Sequence, residues 1–318
     1  ENNNPSKSYE DLINLKTYKV KLDNPVRYFE ASERYKKTFK NIMDKEKFDL
    51  ILITVGPFYT IPLCKIAKKK YKTKCIIDYR DLWVFDVRSI KDFFNPFNLA
   101  KKLMYYPIER NNLKYADLIV TVTEKWKETL RAFYKTKHLG VIENGFDAHQ
   151  LNKIESPNLV FNDKFVICVF GKLSYYSLNY GIKFFKAMKM LSDIFPELII
   201  LHIGTPEIET SKAINISNFN EKKYINTGFI EYKQGIKLLN NANVNIIIDI
   251  RKNAIGTKFY DYVYVNKPLV YFGKKKTQLD RLVKAFNNGF SCYNEKELSD
   301  TIIKIKERKI VNLTSDVK

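Results

Sequence analysis

The sequence predicts an α/β protein of two doubly wound domains, each a parallel sheet covered by helices on both faces. Three observations predict it. Short apolar runs such as Leu50-Ile51-Leu52-Ile53-Thr54-Val55 and Phe165-Val166-Ile167-Cys168-Val169-Phe170 recur along the chain, and runs apolar at successive positions belong to strands buried on both faces. Segments with helical spacing separate them. The alternation restarts after the polar, proline-bearing Glu155-Ser156-Pro157-Asn158, which reads as a linker between domains 1–157 and 158–318. A chain of 318 residues has room for two cores, since single cores rarely grow much beyond ~250 residues.

In order, Phe29, Tyr35, Phe39 and Met43 recur at helical spacing before the first strand, which stops at Gly56-Pro57. Ile61 to Lys70 reads as helix, Cys75-Ile76-Ile77 as strand, Pro107 to Lys114 as helix and Leu118 to Val122 as strand. Glu124 to Tyr134 (helix) and Gly140-Val141-Ile142 (strand) complete the first domain. The break is expected between about Asn152 and Lys164. The second series of strands runs through Phe165 to Phe170, Leu198 to Ile203, Tyr224 to Thr227, Val244 to Ile248 and Leu269-Val270-Tyr271, again with helices between. Open sheets of this kind bind ligands at the loops beyond their strand ends, so function is expected there.

Lys+Arg 55 against Asp+Glu 35 gives a net charge of +20, which favours polyanionic partners, although a lysine-rich solvated surface gives the same sum. Nucleic acid is disfavoured, because the lysines are spread over every predicted helix and form no single stripe interleaved with stacking aromatics. No apolar run approaches the ~18 residues that span a bilayer. The opening Glu1-Asn2-Asn3-Asn4-Pro5-Ser6 lacks the order of a secretory signal, so the cytoplasm is the expected location. Cys64, Cys75, Cys168 and Cys292 have neither metal-type nor redox-type spacing and read as reduced core residues. No acidic cluster suggests a divalent-ion site, and no cofactor is expected. His138, His149 and His202 read as solvated or core side chains.

Four loops carry the candidate chemistry. Gly171-Lys172 ends the first strand of the second domain, offering close backbone approach and a cation to a phosphate. Gly204-Thr205 and Gly228-Phe229 end the next two strands, and the Phe229 ring could pack on a nucleobase. In Gly256-Thr257-Lys258-Phe259-Tyr260-Asp261-Tyr262, Lys258 and Asp261 at i,i+3 share one helix face, where a cation suits phosphate and a carboxylate suits ribose hydroxyls. An exposed ion pair of little energetic weight is the alternative.

This ordered set resembles the retaining GT-B glycosyltransferases of the large bacterial family that includes sucrose synthases and many cell-envelope polysaccharide enzymes, the family 4 type. Gly171-Lys172 and Gly228-Phe229 look like its donor-domain loops. Thr257-Lys258-Phe259-Tyr260-Asp261-Tyr262 with Asn266-Lys267-Pro268 is similar to its Pro-x-Lys-Leu-x-Glu-Tyr and Gly-Lys-Pro segments. Ala116-Asp117-Leu118-Ile119-Val120-Thr121-Val122-Thr123, Glu143-Asn144-Gly145-Phe146-Asp147 and Asp78-Tyr79-Arg80-Asp81-Leu82-Trp83 resemble segments of its first domain. Two departures stand out. Asn253 lies where the family has the first of two paired carboxylates, and neither an opening strand nor a Gly-rich loop precedes Leu50, so the first domain reads as incomplete.

The resemblance implies two Rossmann-like domains facing a cleft, with the last helix, Glu297 to Lys309, packing near their junction. It implies a nucleotide-sugar donor as co-substrate and a glycan or lipid-linked acceptor. Gly171, Lys172, Gly204, Gly228, Phe229, Lys258 and Asp261 would bind the donor. Arg80, Asp81, Lys172 and Lys258 would serve catalysis, Arg80 and Asp81 standing where many members carry a His-Asp pair. A binding or scaffold protein that keeps the fold without the chemistry is the alternative, and an epimerase would want an acid/base set that the sequence does not display. Between Val84 and Pro107, Phe93, Phe94, Phe97, Leu99, Leu103, Met104 and Tyr105 mix with Lys91, Lys101 and Lys102. The mixture suits an interfacial segment on an anionic membrane surface, and a buried helix with solvated lysines is the reading it has to displace.

Overall fold

The structure, a computed structural model, describes residues 18–22, 27–85, 96–135, 138–151, 161 and 163–307. The chain divides into two compact units, 1–142 and 143–318. The first holds a parallel sheet of order β1-β2-β3-β4: Leu50–Val55, Lys74–Tyr79, Leu118–Thr121 and Leu139–Val141. Leu50 lies opposite Lys74, Ile76 opposite Leu118 and Ile119 opposite Leu139. Its helices are α1 (Tyr28–Met43), α2 (Pro62–Lys70), α3 (Pro96–Leu113) and α4 (Glu124–Tyr134). Pro62 opens α2, where its missing N–H is no loss, and the Thr123 hydroxyl caps α4 by accepting from the Trp126 N–H at 3.1 Å. Val55, Ile61, Cys64, Ile77, Ile119 and Leu130 form the centre of the core.

A carboxylate is buried in that core. Glu109 of α3 is only 1% exposed and accepts from the Tyr79 hydroxyl at 2.7 Å and from the Tyr134 hydroxyl through its other oxygen. A backbone hydrogen bond at Val84 also reaches it. The network ties the end of β2, two helices and the loop after Arg80 to one point. Burial pushes the Glu109 carboxyl up from the ordinary carboxylate range, while the phenols and the Val84 backbone oppose the shift.

The second unit holds a six-stranded parallel sheet of order β10-β9-β8-β5-β6-β7. The strands are β5 (Phe165–Phe170), β6 (Leu198–Ile203), β7 (Tyr224–Asn226), β8 (Val244–Asp249), β9 (Leu269–Gly273) and β10 (Gly289–Cys292). The winding reverses between β5 and β8, the crevice at which doubly wound sheets bind ligands. Alternate residues of β5 feed two cores. Phe165, Ile167 and Val169 face one with α6 (Leu178–Ile194), α7 (Ile208–Ser217) and α11 (Glu295–Lys306); Val166 and Cys168 face the other with α8 (Tyr232–Asn241), α9 (Lys258–Val265) and α10 (Gln278–Ala285). On α6 alone Phe184, Phe185, Met188 and Leu191 are fully buried. At ~1.5–3 kcal/mol each, they outweigh the ~1 kcal/mol cost of Gly181 inside that helix. Gly181 is required there, because a Cβ would lie 2.3 Å from the Ser174 hydroxyl.

Of the sequence expectations for these elements, the structure overturns one, the start of the helix at Pro107. The expected linker Glu155–Asn158 lies outside the described residues, whereas Leu151, in the short helix α5 (Ala148–Leu151), is already 2% exposed in the second unit's core. The helix expected to open at Pro107 begins at Pro96 and runs through that proline. Partly buried Tyr105, Tyr106 and Ile108 pack on the core around it, which compensates for the backbone hydrogen bond a proline removes. The last helix, Glu295–Lys306, buries Leu298 and Ile302 in its own unit's core. The four cysteines are buried free thiols, as read from their spacing.

Because Glu109 holds its proton more tightly folded than unfolded, its contribution to stability falls as pH rises from the usual carboxylate value through its raised one. Glu109→Gln should flatten that part of the profile. Thermal melts of both proteins between acidic and neutral pH check it, and parallel profiles would contradict the assignment.

Candidate active site

The strand ends of β5, β6 and β7 enclose a cavity of about 230 Å³ lined by Gly171, Lys172, Gly204, Gly228, Phe229 and Lys258, with Phe170 and Tyr232 at its wall. All but one of the second-unit residues singled out from sequence are therefore brought together. The exception, Asp261, is buried just behind the wall at 6% exposure. Arg80 and Asp81 stand in the first unit after β2, where the Arg80 guanidinium donates to the buried Asp78 carboxylate at 2.8 Å.

The glycines are a steric requirement. A Cβ on Gly204 would lie 2.6 Å from the Gly171 carbonyl oxygen, so these two strand ends approach backbone to backbone. Gly171 and Gly228 have φ of +104° and +68°, which favour glycine. The Gly171 N–H donates to the Ile203 carbonyl at 2.8 Å.

Beneath the glycines lies a polar frame that sequence reasoning missed. His202, fully buried in β6, has Nε2 2.7 Å from the Gly171 carbonyl oxygen and Nδ1 2.7 Å from the Tyr224 hydroxyl. With Nε2–H donating to the carbonyl, Nδ1 accepts from the phenol. Burial lowers the imidazole pKa, in keeping with a neutral ring. Asn226 donates to the carbonyls of His202 and Gly204 at 3.2 and 3.1 Å and accepts from the Gly228 N–H at 3.1 Å. Glu207, buried, accepts from the N–H groups of Leu173, Ser174 and Tyr175 at 3.2, 2.8 and 3.0 Å, shaping the loop after Lys172. The available signal was polarity inside otherwise apolar strands, as at His202, but distance in sequence hid the partners.

The site's cations rest on aromatic faces. Lys172 Nζ sits 4.5 Å from the Tyr175 ring, and Lys258 Nζ sits 3.7 Å from that of Phe170 and 5.1 Å from that of Tyr232. Lys258 and Asp261 share the first turn of α9 as their spacing predicts, 3.4 Å apart. The other Asp261 oxygen accepts from the Tyr232 hydroxyl at 2.6 Å, so a phenol covers the carboxylate expected to meet a ribose. Burial raises the Asp261 pKa, opposed by Tyr232 and Lys258. Arg251, near Asn253, chelates the buried Asp249 carboxylate with its closest contact at 2.6 Å and lies 4.1 Å from the Tyr176 ring. Among the described residues no group of acids, cysteines and histidines could hold a metal ion.

Two Rossmann-like sheets, the second with glycines and lysines at its strand ends, are the fold of the GT-B glycosyltransferases. Residues 6–150 match the model of Glycosyltransferase Family 4, and no curated protein matches the chain. Among solved structures, Anabaena HepE in complex with UDP and glucose is 17% identical with a TM-score of 0.62, over 87% of this chain and 73% of that one. The trehalose-6-phosphate synthase OtsA is 13% identical with a TM-score of 0.62, over 98% of this chain and 73% of that one. A putative UDP-N-acetylglucosamine 2-epimerase from Listeria monocytogenes is 11% identical with a TM-score of 0.59, over 91% and 74%. At such identities the likeness shows the fold.

Removing the phenol that donates to Asp261 should move that carboxyl's pKa further up, since the Tyr232 hydrogen bond favours the charged form. Carboxyl-carbon NMR titration of wild type and Tyr232→Phe reads this directly. An unchanged or lowered value would show that the hydroxyl does not hold the carboxylate.

Proposed function

We propose that the protein is a nucleotide-sugar-dependent glycosyltransferase of the family 4 type, moving a sugar from a nucleoside-diphosphate donor to a glycan or lipid-linked acceptor in cell-surface polysaccharide synthesis, with retention and without a metal. The observation that carries this is the cavity at the strand ends, with glycine backbones at its floor and Lys172 and Lys258 beside them. A diphosphate fits such a place because backbone can approach it closely and the cations offset its charge. The Phe229 ring, 83% exposed at the cavity edge, offers a face for the base. The UDP held in the Anabaena structure supports a uridine donor.

In the reaction the bond between the anomeric carbon and the diphosphate oxygen breaks with its electron pair on the diphosphate, and the acceptor hydroxyl oxygen bonds that carbon as its proton passes to the departing diphosphate. Lys172 and Lys258 would stabilise the charge as it develops, a larger effect in the transition state than in the bound donor. Asp261 would accept from ribose hydroxyls once the Tyr232 phenol yields its place. Arg80 and Asp81 would meet acceptor or donor sugar. A non-catalytic nucleotide-sugar-binding protein is the second reading, favoured by the amide of Asn253 where the family has a carboxylate and by the neutralisation of nearby Arg251 by Asp249. The epimerase reading draws no support from His202, whose two ring nitrogens are both engaged behind the glycines.

A lost hydrogen bond to a charged acceptor costs ~1.5–3 kcal/mol, so Asp261→Ala should weaken nucleotide-sugar binding roughly tenfold to a hundredfold. Binding should also weaken on acidification at a pH above the usual carboxylate range, since Asp261 protonates early. Lys258→Ala should lower kcat more than it raises KM. Calorimetric titration with UDP, GDP, ADP and CMP sugars, followed by turnover assays, tests these points; unchanged affinity in Asp261→Ala refutes the assignment, and binding without turnover selects the second reading.

Peripheral attachment to the inner face of the cell membrane is part of the proposal. No described helix is long and apolar enough to cross a membrane, but Phe97, Leu103 and Met104 of α3 are 87%, 72% and 54% exposed. Phe93 and Phe94 lie outside the described residues. Replacing Phe93, Phe94 and Phe97 by Ser should reduce co-sedimentation with anionic vesicles, and equal, salt-insensitive binding would remove the idea.

A further inference from the structure

A second cavity, of about 600 Å³, lies wholly within the first unit, between α1, α2 and α3. Helix direction grades its chemistry. Both α1 and α2 begin near the strand ends and run back toward the strand starts, so Tyr28, Phe29 and Pro62 line one end, and Lys40, Lys69 and Lys70 the other. Ile66 lies between them, with Lys36 and Lys65 at intermediate heights. The Tyr28 ring is fixed by stacking on Trp83, with centroids 5.3 Å apart.

The polar groups are under-used. Lys36 and Lys70 pair with Glu33 and Asp44 at 2.8 Å, whereas Lys40 acts on those two carboxylates only at longer range, Lys69 lies 5.5 Å from the Tyr115 ring, and among the described residues Lys40, Lys65 and Lys69 form no ion pair within 4 Å. All three are exposed. Ser32, lining the cavity at 2% exposure, has a hydroxyl without a hydrogen-bond partner, and so has Tyr28. An apolar channel with a rim of ammonium groups outside ion pairs is complementary to an anionic head on an apolar chain.

We propose that this groove binds a phosphorylated lipid presented by an anionic bilayer, its phosphate among Lys40, Lys65 and Lys69 and the first part of its chain along Ile66, Phe29 and Tyr28. The site shares no residue with the nucleotide cavity. It goes beyond the transferase reading and does not rest on it.

The test uses the whole chain and three probes below their micelle concentrations: monododecyl phosphate, inorganic phosphate and dodecyl maltoside. Calorimetry should show that dodecyl phosphate binds at least about tenfold more tightly than either half-mimic. The triple charge reversal Lys40→Glu, Lys65→Glu, Lys69→Glu should lose about tenfold or more, since each lysine near an anionic surface contributes substantially. Ile66→Trp, which fills the channel without changing charge, should lose affinity for dodecyl phosphate and leave that for phosphate unchanged. Wild type should co-sediment with vesicles of about 30 mol% phosphatidylglycerol, and the charge reversal should not. If the charge reversal does not fold by circular dichroism, the Lys→Gln triple and Ile66→Trp carry the test. Equal dodecyl phosphate binding in wild type and the folded variants, maltoside binding as tight as phosphate-ester binding, or dodecyl phosphate binding without vesicle binding would each overturn the proposal. UDP titration of the same preparations reports separately on the second unit.

Discussion

The second unit is organised by the contact of two backbones, Gly171 after β5 and Gly204 after β6. They can meet because neither carries a Cβ, and one placed on Gly204 would stand 2.6 Å from the Gly171 oxygen. Such an approach leaves the carbonyls of both glycines in a partly dry place, which is costly unless each is satisfied. His202 satisfies the first and Asn226 the second. Their side chains stand at neighbouring positions of β6 and β7, opposite one another in register, so the pairing of those strands sets the shape of the cavity floor. Glu207 does the same for the following loop, taking three consecutive N–H groups and fixing where Lys172 leaves the backbone.

Much of the fold was legible because it depends on local apolar pattern. The strand runs and the helix Glu124–Tyr134 need only alternation and a cap. Pro107 misled because a proline ordinarily opens a helix, and its tolerance inside α3 depends on packing by Tyr105, Tyr106 and Ile108 against distant strands. At the site, the glycines and lysines were legible from their place at strand ends. What could not be read were the partners: Tyr232 lies 29 residues from Asp261, and Glu207 lies 32 to 34 residues from the loop it holds. His202 was legible as a buried histidine, not as the support of Gly171.

The two units use buried acids differently. In the first, Glu109 is enclosed by two phenols within the core, holding β2, α3 and α4 in register with one another. In the second, Asp249, Glu207 and Asp261 all stand at or near strand ends. Asp249 is satisfied by Arg251 and Glu207 by backbone N–H groups and Thr210. Asp261 has a phenol and a lysine 3.4 Å away, a looser set than either. Burial keeps its carboxyl above its ordinary value, so a partner offering hydroxyl donors in place of one phenol would favour the ionised form.

The same logic extends to the cations. A lysine parked on an aromatic face gains ~0.5–2 kcal/mol, enough to hold the ammonium in place but less than a charge-assisted hydrogen bond to a phosphate oxygen provides. Lys172 on Tyr175 and Lys258 on Phe170 are held in this way. Lys258 has in addition the Asp261 carboxylate 3.4 Å away, so part of its charge is already offset before an anion arrives. An aromatic face positions a cation without neutralising it, which at Lys172 suits the diphosphate of the proposed donor.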